Sequence, residues 1–138
     1  MNAFIFVRLA HVISAVFAGG LVASVAIVAT RSTLGNSPTS SGLLRLTRWA
    51  SLGLAATFLS GMGLDLTMGG ALHQRLWFRL AGLSLIVVGA LVGFVRRRLN
   101  QVASGAIGPS ALRPIPWLAY AACAGVLWIT TLMELKPF

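Results

Sequence analysis

Four long apolar segments follow one another along this chain, and they constrain its fold more than any other feature. A transmembrane helix needs about 20 consecutive, mainly apolar residues. Segments 4–29, 49–68, 76–95 and 117–135 meet that requirement. Hydrophobic residues make up 57% of the 138 residues and charged residues only 9%, whereas about 25% of the residues in soluble domains are charged. The sequence therefore predicts an all-α integral membrane protein, with residues 1–138 forming a single transmembrane domain.

Short connections between the predicted helices favour antiparallel neighbours and an up-down four-helix bundle. The basic residues predict its orientation. Loops 30–48 and 96–116 carry seven arginines, whereas the segments on the other side carry four basic residues. Because cytoplasmic loops are enriched in Lys and Arg, we expect both loops in the cytoplasm and both termini on the outer side of a bacterial inner membrane. Trp49 and Trp117 then mark the inner interface, and Trp77 marks the outer one.

A net charge of +9 does not indicate a nucleic-acid partner here, because the basic residues form short clusters between long apolar segments. At such positions they orient a membrane protein and contact anionic headgroups, so the expected partner is the lipid bilayer. The first apolar segment runs on to residue 29 without a cleavage site after a short core, so we expect it to be retained. The single cysteine, Cys123, excludes an intrachain disulfide.

The few ionisable residues of the predicted spans all belong to the outer half of the bilayer. Each costs about 2.5–3.5 kcal/mol on insertion scales, so each requires a partner or a function. One interpretation is that the charged members pair with one another and extend to the interface. The other is that they surround an outward-facing site in which His11 binds a ligand or transfers a proton. The set comprises Arg8, His11, Asp65, Arg79 and Glu134, with His73 in the short outer loop.

Three methionines, Met62, Met68 and Met133, are predicted to lie in the same outer half. Thioether and imidazole ligands together suit Cu(I), or a haem iron with one axial ligand of each kind. The predicted site therefore consists of His11 with a second ligand from one of these methionines, His73, water or another subunit. Methionines also fill gaps between helices, which is the alternative interpretation. No hydrolase, P-loop or dinucleotide-binding motif occurs, so independent catalytic activity is not expected.

The segment from His11 to Gly20, HVISAVFAGG, resembles the opening helix of the copper-resistance D family. In that family a histidine is followed nine positions later by a glycine, which Gly20 matches, whereas Ala18 stands where a tryptophan is usual. The layout also resembles the HemJ-type protoporphyrinogen oxidases, whose tryptophan-to-lysine segment is similar to residues 77–80 and whose tail is similar to Lys136-Pro137-Phe138. The resemblance implies a small bundle that handles haem or copper, with His11 as the functional residue.

Two functions of different classes therefore remain open, and a small-solute transporter is a third alternative, for which the spans offer few polar residues to line an aqueous path. The first is binding of haem b or copper near the outer face through His11, for electron transfer or metal handling. The second is a structural or accessory subunit of a larger membrane complex, or a homo-oligomer, without a cofactor of its own. Small residues spaced by four, Gly20 with Ser24 and Gly89 with Gly93, predict close helix packing inside the bundle or against another subunit.

Overall fold

A computed structural model describes residues 3–31 and 37–135, and within them the secondary structure is entirely helical. The all-α prediction with four long helices is confirmed. A short 3₁₀ helix, Pro109–Leu112, precedes the last of them. The long helices are α1 (Ala3–Arg31), α2 (Ser37–Thr67), α3 (Leu76–Ala103) and α4 (Ile115–Leu135).

Three segments of the described chain are long and apolar enough to cross a membrane: Ala3–Thr30, Leu76–Ala103 and Pro109–Leu135. The sequence predicted four spans, and α2 is the predicted span that is less apolar than the other three. Its central part carries Arg48 at one end and Asp65 at the other, with serines and glycines between them. These residues lower its hydropathy below that of the other three helices.

Helices α2 and α3 extend well beyond their predicted apolar segments. Helix α2 begins at Ser37 rather than at residue 49, and α3 continues to Ala103 rather than ending at residue 95. The predicted loops 30–48 and 96–116 are therefore helical over much of their length. The extensions are amphipathic: Leu43 and Leu99 are buried, with exposed fractions of 0% and 2%, while arginines occupy the other faces. A search for uniformly apolar segments misses such turns, because only one face is apolar.

Each long helix contacts the next one along the chain, and α4 also contacts α1. The core forms two clusters. One, near the middle of the bundle, contains Ala18, Val22 and Val88; the other, at the arginine-bearing end, contains Leu43, Leu99 and Ile115. No residue in the first 15 of α1, residues 3–17, is buried. The bundle is thus closely packed at one end and loosely packed at the other. The up-down arrangement stays a prediction.

Glycines of α2 bring α1 and α2 together. A Cβ atom placed on Gly53 would lie 3.1 Å from Ala18 Cβ, and one placed on Gly63 would lie 3.2 Å from Val7 Cγ1. Between these two contacts, a Cβ on Gly61 would lie 3.3 Å from His11 Cε1. As the residue number rises along α2, the residue number of its contact in α1 falls, so the two helices run antiparallel.

The glycines that the sequence analysis singled out do not pack helices together within the bundle. A Cβ placed on Gly20, Gly89 or Gly93 would have no heavy atom within 4 Å. Of the two predicted alternatives, contact inside the bundle was wrong at these glycines, and contact with another subunit stays a prediction. Four-residue spacing places residues on one face without indicating where that face points. Ser24 Oγ donates a hydrogen bond to the Gly20 carbonyl oxygen at 2.8 Å, within its own helix.

Candidate functional site

All four long helices line an open cavity of about 930 Å³ at the loosely packed end of the bundle. Its walls are mainly apolar, with Val16, Leu54, Phe58, Leu85 and Ile129 among the larger side chains. Pockets that bind small molecules or cofactors typically measure about 300–1,000 Å³ and are mostly apolar. The cavity therefore has the size and the lining of a small-molecule site.

Most of the predicted site residues line this cavity, although they come from four separate segments of the chain. Arg8, Met68 and Arg79 are not part of the lining. The position of each residue along its helix predicted how far along the bundle it lies. That was enough to predict that the remaining six residues lie at the same end. The predicted residues in the lining are His11, Met62, Asp65, His73, Met133 and Glu134.

The ring of His11 is held by α2 through one nitrogen only. Its Nδ1 atom lies 3.1 Å from the carbonyl oxygen of Thr57 and 3.0 Å from Ser60 Oγ. Because a carbonyl oxygen only accepts hydrogen bonds, Nδ1 of the neutral ring carries the proton and donates it. Nε2 is then left with its lone pair, which is the form in which histidine binds metals.

Nε2 of His11 has no hydrogen-bond partner among the described residues. In the same part of the chain, no fully buried side-chain nitrogen or oxygen lacks a partner. Nε2 is therefore not sealed inside the protein, and His11 lines the cavity. A ring whose Nδ1–H is fixed by a backbone carbonyl, with Nε2 accessible, matches the usual support of metal-binding histidines.

Three residues that support His11 were not recognised from the sequence as parts of the site: Thr57, Ser60 and Gly61. Ser60 Oγ donates to the Thr57 carbonyl oxygen at 3.0 Å, so both atoms near Nδ1 are held by α2 itself. Gly61 leaves the space that the imidazole occupies. A signal was present, because Gly53, Thr57 and Gly61 recur every four residues and form one small-residue face of α2.

Asp65 organises the turn between α2 and α3 instead of pairing with an arginine. Its Oδ1 accepts hydrogen bonds from the backbone N–H groups of Leu72 at 2.8 Å and His73 at 3.0 Å. Its Oδ2 lies 3.0 Å from His73 Nδ1. Gly69 and Gly70, with φ angles of 65° and 78°, give the chain the left-handed conformation that this turn requires.

The predicted ion pairs between charged residues of different helices do not form among the described residues. The prediction concerned Arg8, Arg79, Asp65 and Glu134. The ion pair that the described residues contain joins Asp65 to His73. Arg79 Nε donates to the carbonyl oxygen of His73 and so supports the same turn. Arg8 and Glu134 are exposed and have no ion-pair partner in the described ranges. The amides of the tight turn lie next to Asp65, and they satisfy its carboxylate locally.

The described residues contain no group of three or more His, Cys, Asp or Glu side chains close enough to hold a metal ion. His73 is engaged through Nδ1 by Asp65, and Met68 is 45% exposed outside the cavity. Of the predicted ligand atoms, Nε2 of His11 and the thioethers of Met62 and Met133 remain as candidates that share the cavity. These atoms would suit a haem iron or a soft metal ion such as Cu(I) rather than a zinc-type centre.

The chain is all-helical, with three candidate membrane spans and a histidine, His11, that bonds a backbone carbonyl beside the cavity. No protein-family model matches this chain, and no curated protein and no solved structure matches it either. The resemblance to copper-resistance D and HemJ-type proteins stays a prediction. Lys136, Pro137 and Phe138, which carry part of that resemblance, lie outside the described residues.

Proposed function

We propose that this protein is a polytopic inner-membrane protein whose cavity binds haem b, with Nε2 of His11 as the atom that would hold the iron. The single observation that carries the proposal is the support of His11. The Thr57 carbonyl oxygen fixes the proton on Nδ1, which leaves the Nε2 lone pair unprotonated, and His11 lines a mainly apolar cavity of about 930 Å³. Bound haem would supply one-electron transfer.

The apolar residues of the cavity fit the flat macrocycle of haem better than they fit a lone ion. Phe58, Leu85 and Ile129 supply apolar walls, and the cavity volume far exceeds the space that one ion needs. Met62 and Met133 line the same cavity, and their thioethers are the candidates for a second atom that would hold the iron. A cofactor bound in this way would rest on α1 through His11 and on the apolar walls of all four helices.

The proposed membrane placement has α2 as a fourth span beside the three more apolar helices. Helix α2 packs against α1 from Gly53 to Gly63. If α1 crosses the membrane, this part of α2 therefore lies in the membrane as well. The arginine-rich segments 30–48 and 96–116 lie on the cytoplasmic side, which puts the cavity at the outer face. Cysteines introduced at Ser40 and His73 test this orientation with an impermeant thiol reagent in intact cells. Labelling at Ser40→Cys but not at His73→Cys would invert it.

The first test of cofactor binding is the visible spectrum of the detergent-purified protein, oxidised and then reduced with dithionite. We expect a Soret band that shifts on reduction and is lost in His11→Ala. The matched control is His73→Ala, which removes the other histidine of the cavity lining and should retain the band. A featureless wild-type spectrum after incubation with haem, or a band that persists in His11→Ala, would overturn the proposal.

A second candidate ligand is Cu(I). The imidazole of His11 and the thioethers of Met62 and Met133 line one cavity, and this ligand set is soft enough for that ion. Elemental analysis of protein loaded with Cu(I) under reducing conditions should give about one copper per chain, and Met62→Leu should lower that ratio. The ratio would be unchanged if copper bound elsewhere.

The accessory-subunit function rests on a different observation. Gly89 and Gly93 form an outward surface of α3 with open space around both positions. Small residues on a lipid-facing surface allow another helix to approach closely. If the purified chain binds neither haem nor copper and is stable only together with another membrane protein, this function replaces cofactor binding.

A further inference from the structure

Six arginines collect at the end of the bundle opposite the cavity, which we call the arginine-rich end. They lie together because Leu43, Leu99, Leu112 and Ile115 of the adjoining segments pack in one core cluster. All six are exposed or half-exposed. The residues are Arg45 and Arg48 of α2, Arg96, Arg97 and Arg98 of α3, and Arg113 just before α4.

The chain provides no carboxylate side chain at this end. Its two acidic residues, Asp65 and Glu134, both line the cavity at the other end. Within the described ranges the ion pair formed is Asp65 with His73, and the one aromatic contact of an arginine places Arg98 at 5.0 Å from the Phe94 ring centroid. These guanidinium groups therefore have no carboxylate side chain of the chain beside them, and anions from outside the chain can bind them.

Exposed tryptophans place the arginines at the level of lipid headgroups. Trp49 directly follows Arg48 and is 56% exposed, and Trp117 lies one helical turn after Arg113 and is 78% exposed. Tryptophan is enriched at the boundary between hydrocarbon and headgroups. A guanidinium group at that depth meets phosphodiester oxygens, which it can bind with two parallel hydrogen bonds.

We propose that the arginine-rich end is a binding site for phospholipids with a net negative headgroup, such as phosphatidylglycerol. The proposal rests on the membrane placement given above and not on the cofactor. The headgroup phosphate is bound by guanidinium groups of α2 and α3, and the acyl chains lie along exposed apolar residues such as Leu52 and Phe94. Charge complementarity distinguishes this lipid from zwitterionic phosphatidylcholine, whose phosphate is compensated by its own ammonium group.

The test is retention of defined lipids by the detergent-purified protein, measured by native mass spectrometry after equal additions of phosphatidylglycerol and phosphatidylcholine. The wild type should retain phosphatidylglycerol preferentially, and less of it at high salt. A basic residue near a membrane surface contributes about 1 kcal/mol to anionic lipid binding. The triple variant Arg96→Gln, Arg97→Gln, Arg98→Gln should therefore bind phosphatidylglycerol roughly a hundredfold more weakly.

Matched variants separate a lipid site from a general charge effect. Arg8→Gln with Arg75→Gln removes two exposed arginines from the cavity end and should leave phosphatidylglycerol retention unchanged. Arg45→Gln with Arg48→Gln repeats the test on α2, in case the triple variant does not fold. Because the measurement is made in detergent, it does not depend on how any variant is oriented in the cell.

Several results would overturn the proposal. Equal retention of the two lipids would show that headgroup charge is not recognised. Full competition by millimolar inorganic phosphate would show a site for free anions, and preferential binding of an acidic peptide or an oligonucleotide would show a different partner. A haem spectrum recorded on the same preparation tests cofactor binding separately, so failure of one proposal does not imply failure of the other.

Discussion

Gly53 lies where the backbones of α1 and α2 approach each other, and Gly53→Ala should destabilise the bundle. The new Cβ would lie 3.1 Å from Ala18 Cβ, 3.2 Å from Ala18 Cα and 3.5 Å from its backbone nitrogen. Two of these three atoms belong to the backbone of α1. A rotamer change cannot relieve the contact, so the whole helix must move by a few tenths of an ångström.

The expected magnitude combines two opposing effects. Overpacking a close contact costs about 1–3 kcal/mol. Replacing glycine by alanine inside a helix favours the helix by about 1 kcal/mol. Gly93→Ala measures the second effect alone, because Gly93 lies in the interior of α3 with no heavy atom within 4 Å of the new Cβ. We therefore expect Gly53→Ala to be less stable than Gly93→Ala by about 1–3 kcal/mol.

The assay is reversible unfolding in mixed micelles, with helix content followed by circular dichroism and the free energy of unfolding extrapolated to zero denaturing detergent. Both variants are compared with the wild type under the same conditions. Equal changes in the free energy of unfolding for the two variants would refute the inferred contact between Gly53 and Ala18. A loss of stability in Gly93→Ala alone would contradict the open space around Gly93.

Two further predictions concern the cavity and the adjoining turn. Gly61→Val should displace the His11 ring, because its Cβ alone would lie 3.3 Å from His11 Cε1, and the dissociation constant for haem should rise at least tenfold relative to Gly89→Val. An unchanged dissociation constant would contradict the described position of the ring. Asp65→Ala should speed hydrogen exchange of the backbone amides at positions 72 and 73, both of which donate to its carboxylate. Asp65→Asn retains one side-chain oxygen that can accept a hydrogen bond, so it should speed the exchange less than Asp65→Ala does. Equal exchange rates in both variants and the wild type would show that Asp65 does not organise this turn.

The fold class follows from the sequence because the hydrogen bonds of a helix are local. An apolar segment of about 20 residues can satisfy its backbone groups within itself, so length and composition predict a helix without knowledge of its neighbours. The same logic fails at the ends of α2 and α3. There, residues such as Leu43 and Leu99 are buried by other helices while neighbouring arginines stay exposed. The length of these helices depends on tertiary packing, which a search for apolar segments does not detect.

The candidate site was likewise predictable from the sequence only in part. The sequence by itself determined which polar residues lie near one end of the bundle, because each residue advances a helix by about 1.5 Å and position therefore sets depth. Only the tertiary structure decided how each helix is rotated about its axis and which neighbours its side chains meet. That rotation placed Gly53 and Gly61 against α1 while leaving Gly89 and Gly93 open, and it gave His11 the Thr57 carbonyl as its partner. These pairings arise from the packing of the bundle as a whole, and residue spacing within one helix does not specify them.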